Sequence, residues 1–342
     1  MKKIPVEDAV GQTLCHDMTA ILETGFKGVR FRRGHIITAD DISAFKDMGK
    51  DHIFVWEPGA DEVHEEDAAV ALCDVMCGEN LDRSAPSEGK ITVTAAADGL
   101  FCVNSPALRA INSVPDYTVA VIPNFTPVTA GAKLAGARIV PLVTARENVE
   151  NAVKIALENA PVLTVRPFKK LKVAMIITGS EVYYGRIKDA FEPILTRKLN
   201  NFGAEIIGCT KCPDDADLIA AAINDYAEKG AELILLTGGM SVDPDDVTPT
   251  AIRRTGARQA VSGVPMQPGN MLNIFYLGDT VLVGVPGASM HSKVTSLDVF
   301  LPRIFAGIEI LPEEIPAYGE GGLCLNCEVC TFPKCGFGVY RD

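Results

Sequence analysis

Aromatic residues are scarce in this chain. They make up 6% of it, and Trp56 is the only tryptophan. The base-stacking platforms of single-stranded nucleic-acid binders need such rings. Basic charge is also in deficit, with 32 Lys and Arg against 44 Asp and Glu, a net charge of −12. A protein that tracks a phosphate backbone shows the opposite balance, so the composition argues against a nucleic-acid partner. Long apolar runs are missing as well. The longest, Val173–Ile177 and Leu233–Leu236, fall far short of the ~20 residues of a membrane span and read as buried strands. The opening MKKIPVEDAVGQTL has no apolar stretch of signal-peptide length. These absences together give the expectation of a soluble, cytoplasmic protein with no membrane partner. The histidines, at 16, 35, 52, 64 and 291, show no metal-ligand spacing.

What remains is 342 residues, 47% apolar and 22% charged, an ordinary globular composition. At roughly 100–200 residues per domain it suits two or three domains. Residues 1–57 read as a small β-rich domain with a helix at DDISAFKDMG, capped by Asp40 or Asp41 and ended by Gly49. Residues 58–167 read as a linker helix (Glu65–Met76) followed by a mixed α/β-rich segment. From about residue 168 the pattern becomes near-continuous apolar strands alternating with helices: LKVAMII, KDAFEPILTRKLNNFG, AEIIGC, ADLIAAAINDYAEKG, ELILLTGG, then further strands and one long helix from about Ser289 to Phe305. That alternation predicts a doubly wound, mainly parallel α/β sheet over 168–311, with 312–342 as a Cys-rich tail.

Ligands bind beyond the carboxyl ends of such strands. Those ends carry Thr178-Gly179-Ser180-Glu181, then Asp214 and Asp215, then Thr237-Gly238-Gly239 leading to Ser241 and the DPDD run, and later Pro286-Gly287. Glycines let a backbone approach a ligand closely, and helix starts offer N–H groups to an anion. Ser180 and Ser241 can donate to phosphate. Glu181, Asp214, Asp243, Asp245 and Asp246 are carboxylates suited to Mg²⁺ on a phosphate or pyrophosphate. Thr248 before Pro249 reads as an N-cap with proline at the first helical position.

Ten cysteines are an excess, and four of them, Cys324, Cys327, Cys330 and Cys335, fall in a short terminal stretch. In a reducing compartment such a set reads as metal binding. Four thiolates suit Zn²⁺, and two successive C-x-x-C steps also resemble an iron–sulfur run. Spacing alone leaves both open.

The ordered motifs TGSEV, GRIKD, DD, LLTGGMSVDPDDVTP and PG resemble the molybdopterin-binding domain shared by molybdopterin adenylyltransferases, molybdopterin molybdotransferases and a pyrophosphatase domain of competence-associated proteins, over about residues 170–308. VEDAVGQTLCHD and RRGHIITADDISAFKDMGKDHIFV are similar to segments that precede that domain in molybdotransferases. The whole layout most resembles molybdopterin-binding proteins with a Cys-rich tail that serve molybdenum hydroxylases. The resemblance implies molybdopterin as ligand or substrate, a role in molybdenum cofactor biosynthesis, maturation or delivery, and a homo-oligomer. Its partners would be a molybdenum hydroxylase or another cofactor-maturation protein. It casts Glu181, Asp214 and Asp246 as the catalytic acids of a Mg²⁺-dependent adenylyl or molybdate transfer. Thr178, Gly179, Ser180, Thr237, Gly238, Gly239, Ser241, Asp245, Pro268, Gly269, Pro286 and Gly287 become the cofactor-binding set. The alternatives are a nucleotide pyrophosphatase and a non-catalytic carrier. Molybdotransferases carry two lysines around the Pro268-Gly269 turn, where this chain has Gln267 and Asn270. That difference favours the carrier.

Overall fold

The computed structural model describes residues 2–21, 27–55, 59, 61–239 and 247–341. Two compact units divide the chain. One comprises Met1–Ala97, Cys102–Ile122 and Thr129–Val165; the other comprises Asp98–Phe101, Pro123–Val128 and Arg166–Asp342.

The first unit begins with short antiparallel pairs, Lys2–Pro5 with His52–Val55 and Met18–Ile21 with Lys27–Phe31. The helix Asp41–Asp47 completes this part, and Val6, Leu14, Phe31, Ile37, Phe45 and Ile53 close a small core. That helix starts where the Asp41 carboxylate accepts the Thr38 amide at 2.8 Å. It ends at Gly49 (φ +71°), the left-handed residue that commonly terminates helices. Two longer helices, Glu65–Met76 and Arg146–Glu158, pack together beside an antiparallel sheet. Its strand order is Leu81–Arg83, Ile91–Ala95, Lys133–Ile139, Tyr117–Val121.

His64 caps the first of those helices. Its Nδ1 accepts the Glu66 amide at 3.2 Å while Nε2 meets the Cys15 carbonyl at 2.7 Å. The carbonyl can only accept, so Nε2 carries the proton and the ring is neutral. Burial lowers the pKa of His64, and burial likewise lowers that of His16. A depressed folded pKa means that stability is complete above the unfolded value, ~6.5, and is lost as pH falls from there through the folded value. The unfolding midpoint of this unit should therefore drop between pH 7.5 and 5.5. His64→Asn, which keeps an acceptor for the Glu66 amide, should flatten part of that slope; an unchanged slope would show that His64 is not a source of it.

The second unit is built on six strands: β1 (Lys172–Thr178), β2 (Glu205–Cys212), β3 (Leu233–Thr237), β4 (Arg258–Ser262), β5 (Asn273–Leu277) and β6 (Thr280–Val285), in the order β2-β1-β3-β6-β5-β4. β2, β1, β3 and β6 run parallel, and β5 and β4 add antiparallel at one edge. The fold class is thus the expected α/β, mainly parallel sheet. Strict alternation along buried strands sends Val173, Met175 and Ile177 into one core and Ala174 and Ile176 into the other. The first core is closed by α2 (Phe191–Asn200) and α5 (Ser296–Phe305), through Leu195, Leu199, Leu297 and Phe300. The second is closed by α3 (Ala216–Glu228) and α4 (Thr248–Arg254), through Ile219, Ile223, Ala251 and Ile252. A one-turn helix, α1 (Ser180–Tyr183), follows β1 directly.

The helix expected from Ser289 to Phe305 is two elements. A 3-10 turn spans Gly287–Met290, and α5 starts only at Ser296. The break is chemical: Thr295 and Asp298 form a capping box, the Asp298 carboxylate accepting the Thr295 amide at 2.7 Å, which begins a new helix there.

Candidate functional site

The chain leaves β1 toward β2 on one side and then crosses to β3 on the other, so the strand order reverses between β1 and β3. Doubly wound sheets open a crevice at such a point. Here it is a cavity of about 520 Å³, and Thr178, Glu181, Gly238, Gly239 and Gly287 line it. Ile177, Val182, Ile187, Phe191, Met271 and Met290 give it apolar walls, and Lys188 and Asp189 add charge.

Its floor is fixed by two glycines and two threonines. Gly238 has φ +80°, and a side chain there would lie 2.3 Å from the Thr178 carbonyl oxygen. Gly239 has φ +54° and would meet the Thr248 hydroxyl at 2.7 Å. Thr178 Oγ1 donates to the Thr237 carbonyl at 2.7 Å, Thr248 Oγ1 donates to the Gly238 carbonyl at 3.0 Å, and the two hydroxyls meet at 3.1 Å. Thr248 therefore does not cap its own helix as the sequence suggested. Val247 occupies that position without a side-chain bond, and the Thr248 hydroxyl turns back to stitch the strand ends. The glycine turn leaves the Gly238 carbonyl within its reach, and that acceptor outcompetes the local cap.

Asp214 braces the neighbouring turn. Its carboxylate accepts the Ser180 amide at 2.8 Å, and its own amide donates to Ser180 Oγ at 3.2 Å. Asp189 accepts the Phe191 and Glu192 amides at 2.9 and 3.0 Å, capping α2. Of the expected residues, Gly179, Ser180, Asp214, Thr237 and Pro286 lie at the strand ends and the turns after them and do not line the cavity. Thr237 is fully buried, and its Oγ1 has no hydrogen-bond partner. Pro268 and Gly269 sit elsewhere: the Ser296 amide and hydroxyl bond to their carbonyls at 3.2 and 2.6 Å. Gln267 and Asn270 line a separate open cavity of about 510 Å³. Ser241, Asp245 and Asp246 lie outside the described residues, as does Asp243.

Lys188, Asp189 and Met271 were not singled out from sequence. The GRIKD motif held the signal for the first two, because it follows the first glycine turn directly. Met271 is brought in by the chain path alone. Lys188 is the only basic side chain among the described residues lining the cavity.

A second cavity, of about 460 Å³, is lined by Cys324, Cys327, Cys330 and Cys335 together with His291, Lys293 and Arg341. Among the described residues, no three His, Cys, Asp or Glu side chains are gathered so as to hold a metal ion. Cys327 and Cys330 are exposed, whereas Cys15 is buried and burial pushes its thiol up to about 11. Iodoacetamide at pH 8 should alkylate Cys327 and Cys330 at least ~100-fold faster than Cys15, because the thiolate is the nucleophile. Peptide mapping with time checks this; comparable rates would contradict the burial of Cys15.

Residues 174–306 match the family described as a probable molybdopterin binding domain, and residues 3–57 match a domain of unknown function. The α/β part of the second unit is thus the stretch that matches a probable molybdopterin binding domain. Among curated proteins, the chain is 28% identical over 150 residues to the molybdopterin molybdenumtransferase of Synechococcus elongatus, covering 41% of this chain and 37% of that protein. It is 32% identical over 90 residues to a CinA-like protein of Mycobacterium avium, covering 26% and 21%. The chain thus spans well under half the length of these relatives. Solved structures that align include the tungsten cofactor synthesizing protein MoaB from Pyrococcus furiosus, at 19% identity and TM-score 0.35, covering 40% of this chain and 94% of that one. No helix among the described residues is long and apolar enough to cross a membrane.

Proposed function

We propose that the protein binds the phosphate-bearing pterin of molybdenum cofactor biosynthesis in the strand-end cavity and acts in maturation or delivery of that cofactor. The observation that carries this reading is the cavity itself, which lies at the strand-order reversal inside the stretch that matches the molybdopterin-binding family. Its apolar walls suit a flat heterocycle. Its glycine turns let the backbone approach a phosphate, and Lys188 supplies a cation for it.

Glu181 is the carboxylate on the wall. It would meet a Mg²⁺ that arrives on the ligand phosphate, since Mg²⁺ is ordinarily held by one or two carboxylates plus substrate phosphates. Asp214 is already engaged by the Ser180 amide, so its part is to hold the turn. The neutral Gln267 and Asn270 lie in another cavity and place no cation on the ligand, which supports a carrier over a molybdate-inserting transferase. A homo-oligomer that hands its cargo to a molybdenum hydroxylase or a maturation protein belongs to the same proposal.

The test is anaerobic titration of the full chain with molybdopterin. Saturable binding is expected, weakened about 10-fold or more by Lys188→Ala, the loss of one charge-assisted contact of roughly 1.5–3 kcal/mol. Binding without turnover identifies a carrier. Mg²⁺-dependent turnover lost in Glu181→Gln identifies a transferase. Hydrolysis of ADP-ribose with no affinity for molybdopterin would replace both with a nucleotide pyrophosphatase.

A further inference from the structure

We propose that the cavity between the tail and residues 291–294 is a second ligand site, which takes a small organic anion with a flat apolar body. Its wall is built from two pieces of the second unit. The tail is one, and it is docked by its backbone. The Gln267 amide donates to the Gly322 carbonyl at 2.7 Å, and the Cys324 amide donates back to the Gln267 carbonyl at 2.8 Å. Gly338 lies so close to Val299 that a side chain there would come within 2.4 Å of it. The residues between the 3-10 turn and α5 are the other piece. The buried Lys198 donates to the Lys293 carbonyl at 3.4 Å and pairs with Asp298, which ties this segment to α2. The space between the two pieces is about 460 Å³, within the ~300–1,000 Å³ of small-molecule sites.

The lining decides the class of ligand. The chain carries a net charge of −12, yet no Asp or Glu among the described residues lines this cavity, whereas Lys293 and Arg341 do. Arg341 is already engaged by the Glu320 carboxylate at 3.0 Å. Lys293 is not neutralised in that way. Its ammonium donates to the Glu328 carbonyl at 3.3 Å, a neutral acceptor that leaves the charge in place and holds it at the wall. A carboxylate or sulfonate meeting it would make a charge-assisted hydrogen bond. The remaining wall is largely apolar. Phe332 and the buried Phe337 place ring centres 6.3 Å apart at 60° to each other, a tilted pair whose faces and edges suit a further ring. Leu323 and Leu325, 64% and 79% exposed, also line the space, and a bound ring would take their apolar surface out of water. The thiols of Cys324, Cys327, Cys330 and Cys335 add polarizable contacts. A small hydrated ion gains nothing from such walls. A flat ring with an anionic substituent satisfies both parts of the lining.

The experiment is fluorescence titration of the full, reduced chain with 8-anilinonaphthalene-1-sulfonate, an aromatic anion of this class. Saturable binding is expected. Lys293→Ala should weaken it about tenfold, the loss of one charge-assisted contact, and Lys293→Arg should restore it. Lys293 is exposed, so both variants should fold as the parent does, which an unchanged thermal midpoint checks. The exposed thiols locate the probe. At ten times its Kd it should slow alkylation of Cys327 and Cys330 by up to about tenfold, as mass action sets, and leave that of Cys102, outside the cavity, unchanged. Inorganic phosphate at the same concentration should not displace it. The proposal is overturned by an absence of saturable binding, by equal affinity in Lys293→Ala, by unprotected Cys327 and Cys330, or by displacement with phosphate. No pterin enters the measurement, so its outcome is independent of the strand-end cavity.

Discussion

Gly238→Ala should abolish ligand binding in the strand-end cavity and destabilise the second unit by about 2–5 kcal/mol. Two costs add. At φ +80° a side chain forces an L-residue into left-handed backbone, roughly 1–2 kcal/mol. The new methyl would also lie 2.3 Å from the Thr178 carbonyl oxygen. Because backbone cannot swing aside as a flexible side chain can, relief requires β1 and β3 to part, an overpacking cost of about 1–3 kcal/mol. Parting the strands breaks the bond from Thr178 to the Thr237 carbonyl and tilts the floor on which the ligand would sit. Gly230→Ala is the control. It shares the positive φ, +82°, but has nothing within 4 Å of the added methyl, so it should lose only the conformational part. Thermal unfolding of the two variants separates strain from collision, and equal losses would mean that the β1–β3 approach is soft.

Much of this site was legible in the sequence because its chemistry is local. A strand followed by Thr-Gly, twice, marks where backbone is exposed at a sheet edge, and buried parallel strands announce themselves as apolar runs. Glu181, Gly238 and Gly239 were found in that way and do line the cavity. What escaped was set by distance in the chain. The Thr248 hydroxyl looked like a cap because sequence shows only its immediate neighbours, and the carbonyl that wins it belongs to a residue ten positions earlier. Met271 and Met290 reach the cavity from loops whose path no periodicity reports. The split of the last helix was written in Thr295 and Asp298, a capping signal overlooked beside the stronger apolar pattern.

The tail shows the same limit. Its cysteines were conspicuous, but its docking on Gln267 and Val299 rests on backbone bonds and glycine contacts that leave no compositional trace.

The largest effect beyond the cavity is expected at Arg303, the bulkiest side chain in the fully buried interior. Its guanidinium donates to Glu314 Oε2 at 2.7 Å, to the Glu309 carbonyl at 2.9 Å and to the Tyr318 hydroxyl at 3.3 Å, and it lies 4.2 Å from the centre of the Phe125 ring. Phe125 holds φ +59°, unusual for so large a residue. Its ring also packs on Tyr340, which in turn packs on Tyr318. The charge thus ties the segment after α5 to the end of the tail. Its Nε has no partner, so the guanidinium has no acceptor to spare. Glu314→Ala strips the paired carboxylate from a cation that is 1% exposed. Removing one partner of a buried pair costs about 3–5 kcal/mol, because the other charge stays desolvated. Arg303→Met leaves Glu314, 19% exposed, where water can reach it, so it should cost less, roughly 2–3 kcal/mol by the same reasoning. The double variant Arg303→Met/Glu314→Ala buries no unpaired charge and should be more stable than Glu314→Ala alone. A double-mutant cycle on thermal unfolding should return a coupling of about 1–3 kcal/mol. Strict additivity would mean that Arg303 contributes by packing on Phe125 and not by its charge.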